Sequence, residues 1–63
     1  MEQETLLVKA CDKALIDGHY IIKEEWEYIV TLHTAFNNLG GNHRGDIKFN
    51  AVEMKYNAQL ARP

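Results

Sequence analysis

Between Lys23 and Leu39 the apolar residues cover more than one side of a helix. At about 100° per residue, Trp26, Ile29, Val30, His33 and Phe36 share one arc, and Tyr28, Leu32, Ala35 and Leu39 extend it. Only Glu24, Glu27, Thr31, Thr34 and Asn38 make a strip suited to water. A helix with so little polar surface needs neighbours on two sides. Those neighbours are either both flanking helices or another subunit.

Upstream, Leu7, Cys11 and Ala14 repeat at helical spacing, flanked by Val8, Ala10 and Leu15 and opposed by Glu2, Lys9, Asp12 and Lys13. This predicts a first helix from about Glu2 to Asp17, stopped by Gly18. Tyr20, Ile21 and Ile22 are good strand formers, and no capping residue stands directly before Lys23. They read as an extended connector whose apolar residues pack on the core, with a short strand as the alternative. Glu24, Glu25 and Glu27 suit the positive end of the second helix dipole.

Gly40 to Asp46 reads GGNHRGD, a glycine-rich stretch expected to be a mobile loop. Beyond it, two starts compete. Asp46 can open a helix at Ile47. Alternatively Asn50 and Glu53 form a capping pair, which leaves Ile47 to Phe49 extended. From Ala51 to Ala61 the pattern is helical and two-faced. Ala51, Met54, Ala58 and Ala61 make one stripe, and Val52, Tyr56 and Leu60 another. The expected fold is mainly α, a small three-helix domain over residues 1–63. Its helices fall at about 2–17, 23–39 and 48–61, with 19–22 and 46–50 as the segments where extended structure competes.

Length sharpens the need for partners. A chain of 63 residues buries roughly 60 % of its unfolded surface, so its core is marginal without reinforcement. Cys11 is the only cysteine, which excludes an intrachain disulfide and makes a small buried hydrophobe its simplest role. The acidic N-terminus lacks the apolar core of a signal peptide, and no apolar run is long enough for a membrane span. A reducing, cytoplasmic setting is the expectation. Oligomerisation remains as the reinforcement.

The net charge of −2 hides an asymmetry. Residues 1–40 carry three lysines against seven acids, a balance of −4. Residues 41–63 carry Arg44, Lys48, Lys55 and Arg62 against Asp46 and Glu53, a balance of +2. Lys48, Lys55 and Arg62 recur every seven residues, so a continuous helix would align them, with Arg44 at its start. These four are the candidate anion-contacting residues, and they support nucleic-acid binding as the alternative function. A helix-turn-helix register on Ala14 and Gly18 fails, because Glu24 and Glu27 fall where apolar residues are needed.

Little else suggests chemistry. The chain has no serine, no phosphate-binding glycine loop with its lysine, and no nucleophile beside a base. His33 lies inside the apolar arc, a position for a pH-sensitive or interface imidazole. Its helical neighbours Ile29, Val30, Phe36 and Asn37 offer no metal ligand set. The triplet Arg44-Gly45-Asp46 matches an adhesion sequence, but three residues carry little information.

The sequence therefore points to a non-enzymatic protein–protein interaction module, a regulator or inhibitor without a cofactor. It acts through surplus apolar helix faces, with a homodimer as its simplest form. The face expected to remain uncovered is Phe49, Val52, Tyr56 and Leu60. The partner is either a second copy or a different protein.

Overall fold

The structure, a computed structural model, describes residues 2–40 and 43–61, with side chains described over 5–40 and 44–61. Three helices form: α1 (Glu2–Ala14), α2 (Lys23–Asn38) and α3 (His43–Ala61). No strand occurs among the described residues, so both contested segments resolve against β structure. Each helix packs on the other two.

The core is drawn from one face of every element. Leu7, Cys11 and Ala14 come from α1, Ile29, Leu32 and Phe36 from α2, and Phe49 and Val52 from α3. Ile21 of the connector closes one end and is almost fully buried. Trp26 and Val30, which share the apolar arc of α2 with Ile29 and Phe36, are partly buried and pack against this core from its edge.

Helix α1 ends three residues earlier than its pattern suggests. Its last turn tightens: Leu15 N–H reaches Cys11 O at 2.9 Å and Asp12 O at 3.2 Å, and Ile16 N–H reaches Lys13 O at 3.3 Å. Lys55 of α3 then donates to Ala14 O at the helix end, at 2.7 Å, and to Ile16 O in the following turn, at 3.0 Å, where it joins the bond from His19 N–H. A cation on the negative end of a helix dipole is favourable there. Gly18 follows with φ of 86°, as its position predicts.

The connector 19–22 is irregular, and Ile22 caps α2 with extended backbone and no side-chain hydrogen bond. Of its apolar residues only Ile21 packs inward. Tyr20 and Ile22 are exposed, contrary to the expectation that all three join the core. Successive side chains of an extended segment point to opposite sides, so burying the middle one turns the other two outward.

Helix α3 begins at His43, well before either expected cap. Residues 43–46 are its first turn and not part of a loop, while Gly41 and Asn42 lie outside the described residues. The reason is Gly45, which is buried against the ring of Phe36. A side chain there would meet that ring, so glycine allows the start of α3 to dock closely on the end of α2. Asn50 stands mid-helix and exposed, and its capping pattern goes unused. With Gly45 buried inside a helix, the Arg44-Gly45-Asp46 triplet is not displayed as a loop.

Candidate functional site

Four rings line the seam between α2 and α3. Trp26 and His33 come from α2, Phe49 and Tyr56 from α3, each pair seven residues apart. Trp26 stacks on Tyr56 at 5.0 Å and on Phe49 at 5.5 Å, and His33 stacks on Phe49 at 3.8 Å between ring centroids. The order Tyr56, Trp26, Phe49, His33 fixes α2 and α3 as antiparallel. Contacts from Lys48 to Asp12 and from Lys55 to Ala14 run in the same chain sense, so α1 lies alongside α3 and against α2. The topology is up-down-up.

This seam overturns the expected partner face. Phe49 and Val52 belong to the monomer's own core, and Tyr56 packs on Trp26; only Leu60 is exposed. Helix α3 does have a covered and an uncovered stripe, but the assignment is reversed. Ile47, Met54, Ala58 and Ala61 face outward. The aromatic seam decides the matter, because flat rings on α2 match flat rings on α3.

His33 is a seam residue. Its Nε2 lies 3.0 Å from Asp46 Oδ1 and 3.4 Å from the side-chain nitrogen of Asn37. A carboxylate only accepts, so the shorter contact has Nε2–H donating to Asp46. The imidazole thereby ties the middle of α2 to the first turn of α3, an intramolecular role. His19 makes a separate pair, its Nε2 2.7 Å from Glu25 Oε1. Among the described residues no three His, Cys, Asp or Glu gather as a metal site would require.

The candidate anion-contacting residues are largely occupied. Lys48 donates to Asp12 Oδ1 at 2.6 Å, and Lys55 caps α1. Both side chains face α1 instead of forming a free basic stripe. Arg44 is exposed. Arg62 lies outside the described residues.

A further uncommitted surface lies between α1 and the first half of α2. Leu6, Ala10, Tyr20, Ile22 and Tyr28 line a groove of about 710 Å³. Four of these are large and substantially exposed: Leu6 at 46 %, Tyr20 at 67 %, Ile22 at 51 % and Tyr28 at 53 %. The rims carry opposite charge. Lys9 and Lys13 stand on the α1 side, and Glu24 and Glu25 on the α2 side. Glu25 is held by His19; none of the described ion pairs involves Lys9, Lys13 or Glu24.

Two signals in the sequence mark this groove. Leu6, Lys9, Ala10 and Lys13 share a helical face that flanks the buried Leu7, Cys11 and Ala14, with Ala10 at the boundary between the two. Tyr20 and Ile22 flank Ile21 with the alternation of a connector buried on one side only.

No protein-family model matches the chain, and no curated protein or solved structure matches it. No helix among the described residues is long and apolar enough to cross a membrane.

Proposed function

We propose that this chain is a non-enzymatic protein–protein interaction module that binds polypeptide in the groove between α1 and α2. One observation carries the reading: Leu6, Tyr20, Ile22 and Tyr28 expose apolar surface around a single concavity with charged rims. Scattered apolar side chains are ordinary on a protein surface, but a contiguous set rimmed by charge is the usual anatomy of a contact site. Two tyrosines strengthen it, because their rings give large contact area and their hydroxyls stay hydrated. A regulator or inhibitor acting by surface occupancy is the role this suits. A reducing cytoplasm fits Cys11, a thiol kept as part of the core.

Selection from a displayed library of helical peptides tests the reading. Enriched peptides should lose binding to a Tyr28→Glu chain and keep it for a Met54→Glu chain. Peptides that depend on Met54, or on Lys48 and Lys55, would place the contact surface elsewhere.

A further inference from the structure

The two rims of the groove differ in sign, and they face each other across an apolar floor. Lys9 and Lys13 are on one side and Glu24 with Glu25 on the other. Lys13 and Glu24 flank the connector at one end of the groove, since α1 runs out there and α2 begins. Leu6 and Tyr28 lie toward the other end. This arrangement has a symmetry consequence. Two copies set face to face are related by a two-fold axis lying in the plane between them. If the axis crosses the groove, like rims meet. If it runs along the groove, each basic rim lies over the other copy's acidic rim, at the same level.

We infer that a second copy of this chain occupies the groove, about a two-fold axis running along it. The inference rests on the groove being a polypeptide-binding surface and names the occupant. In this arrangement Lys13 of each copy meets Glu24 of the other, and Leu6 of each meets Tyr28 of the other. Tyr20 and Ile22 lie between the two rims at the connector end, beside the axis. The apolar floor supplies the driving force, and the rims set the orientation, since like charges opposed across an interface are disfavoured. The dimer also adds core to a chain whose own core is small. The outward stripe of α3 offers no such match: Ile47 and Met54 sit seven residues apart on a convex ridge, with Ala58 and Ala61 beyond them.

Sedimentation equilibrium with charge-reversed chains tests this. One chain carries Lys9→Glu with Lys13→Glu, the other Glu24→Lys; Glu25 is left in place because it holds His19. All three positions are exposed, and helical circular dichroism serves as the check that each variant folds. The wild-type chain should dimerise. Each variant alone should dimerise at least tenfold more weakly, and an equal mixture should recover wild-type association as a heterodimer. That recovery cannot come from damage to either fold. Added salt should weaken the wild-type dimer and strengthen each variant's self-association. A wild-type chain that stays monomeric at high concentration overturns the inference. So does a dimer indifferent to both reversals, or one broken by Met54→Glu. If the chain is monomeric while selected peptides still need Tyr28, the groove reading stands and only the identity of the occupant fails. If Tyr28→Glu affects neither peptides nor self-association, both fail.

Discussion

The side-chain amide of Gln59 pairs with both backbone polar groups of Ile21. Ile21 N–H donates to Gln59 Oε1 at 2.8 Å, and Gln59 Nε2 donates to Ile21 O at 2.9 Å. One side chain from α3 thus does for the connector what a neighbouring strand would do. It satisfies a residue whose backbone would otherwise lack partners near the core. It also holds Ile21 inward, and so turns Tyr20 and Ile22 out into the groove.

Gln59→Ala should therefore destabilise the chain by about 1–3 kcal/mol, the cost of leaving buried backbone groups unpaired. Gln59→Glu gives a sharper test. At neutral pH its carboxylate can accept from Ile21 N–H but faces Ile21 O without a proton. Relative to wild type, Gln59→Glu should be destabilised at pH 7 and recover part of the loss on acidification, when the acid can donate. Urea unfolding of both chains at two pH values checks this. An equal loss at both would show that the donated bond to Ile21 O is unimportant.

Gly45→Ala should destabilise, although alanine is the better helix former. Propensity favours alanine by about 1 kcal/mol. The added methyl would lie 2.9 Å from Phe36 Cζ and closer still to Cε2. Phe36 is itself buried, so its ring cannot swing clear without disturbing the core. Overpacking of this kind costs about 1–3 kcal/mol, enough to reverse the sign. Pairing Gly45→Ala with Phe36→Leu should recover part of the loss. A gain in melting temperature from Gly45→Ala alone would contradict the packing.

Trp26→Ala removes the ring stacked on both Tyr56 and Phe49. Because Trp26 is only partly buried, the expected loss is about 2–4 kcal/mol, toward the lower end for aromatic truncations. In a domain this small each kcal/mol lowers the melting temperature by about 4–8 °C. Thermal unfolding close to wild type would show that the ring seam contributes little.

Cys11 should be a slow nucleophile. Burial, with the Asp12 carboxylate adding to it and Lys48 opposing, pushes its thiol up to about 11 from an ordinary 9.0. Alkylation at pH 8 should be far slower in the folded chain than in urea. The sign for stability follows from linkage. The folded chain keeps its proton where the unfolded chain has lost it, so stability is unaffected below pH 9 and falls as pH rises toward 11. Cys11→Ala should lack this component of the alkaline decline.

Much of the fold is legible in the sequence, and the reasons for the misses are physical. Leu7, Cys11 and Ala14 carry a single unambiguous stripe; α2 is apolar around most of its circumference, so its helix is plain but the choice of Ile29, Leu32 and Phe36 over Trp26 and Val30 as the innermost residues is not. Gly18 takes the positive φ its position predicts, although α1 itself ends earlier, at Ala14. Helix α3 is harder because its two stripes are both apolar, and periodicity cannot tell an inner face from an outer one. What orients it is the match of Phe49 and Tyr56 with Trp26 and His33, a pairing between segments that spacing within one helix does not display. The basic spacing of Lys48 and Lys55 is plain, but their partners Asp12 and Ala14 lie 36 and 41 residues away. The groove needs the same long-range knowledge. Tyr20 and Ile22 are visible as apolar residues alternating about Ile21, but which side of the alternation faces in depends on the bond from Gln59, 38 residues away.

The most direct test of the groove as a contact surface is site-specific photocrosslinking in living cells. A photoreactive phenylalanine analogue placed at Tyr28 should give a light-dependent polypeptide adduct, and the same analogue at the exposed Asn50 of α3 should give none. Absence of an adduct at Tyr28, or equal adducts at both positions, would contradict the account.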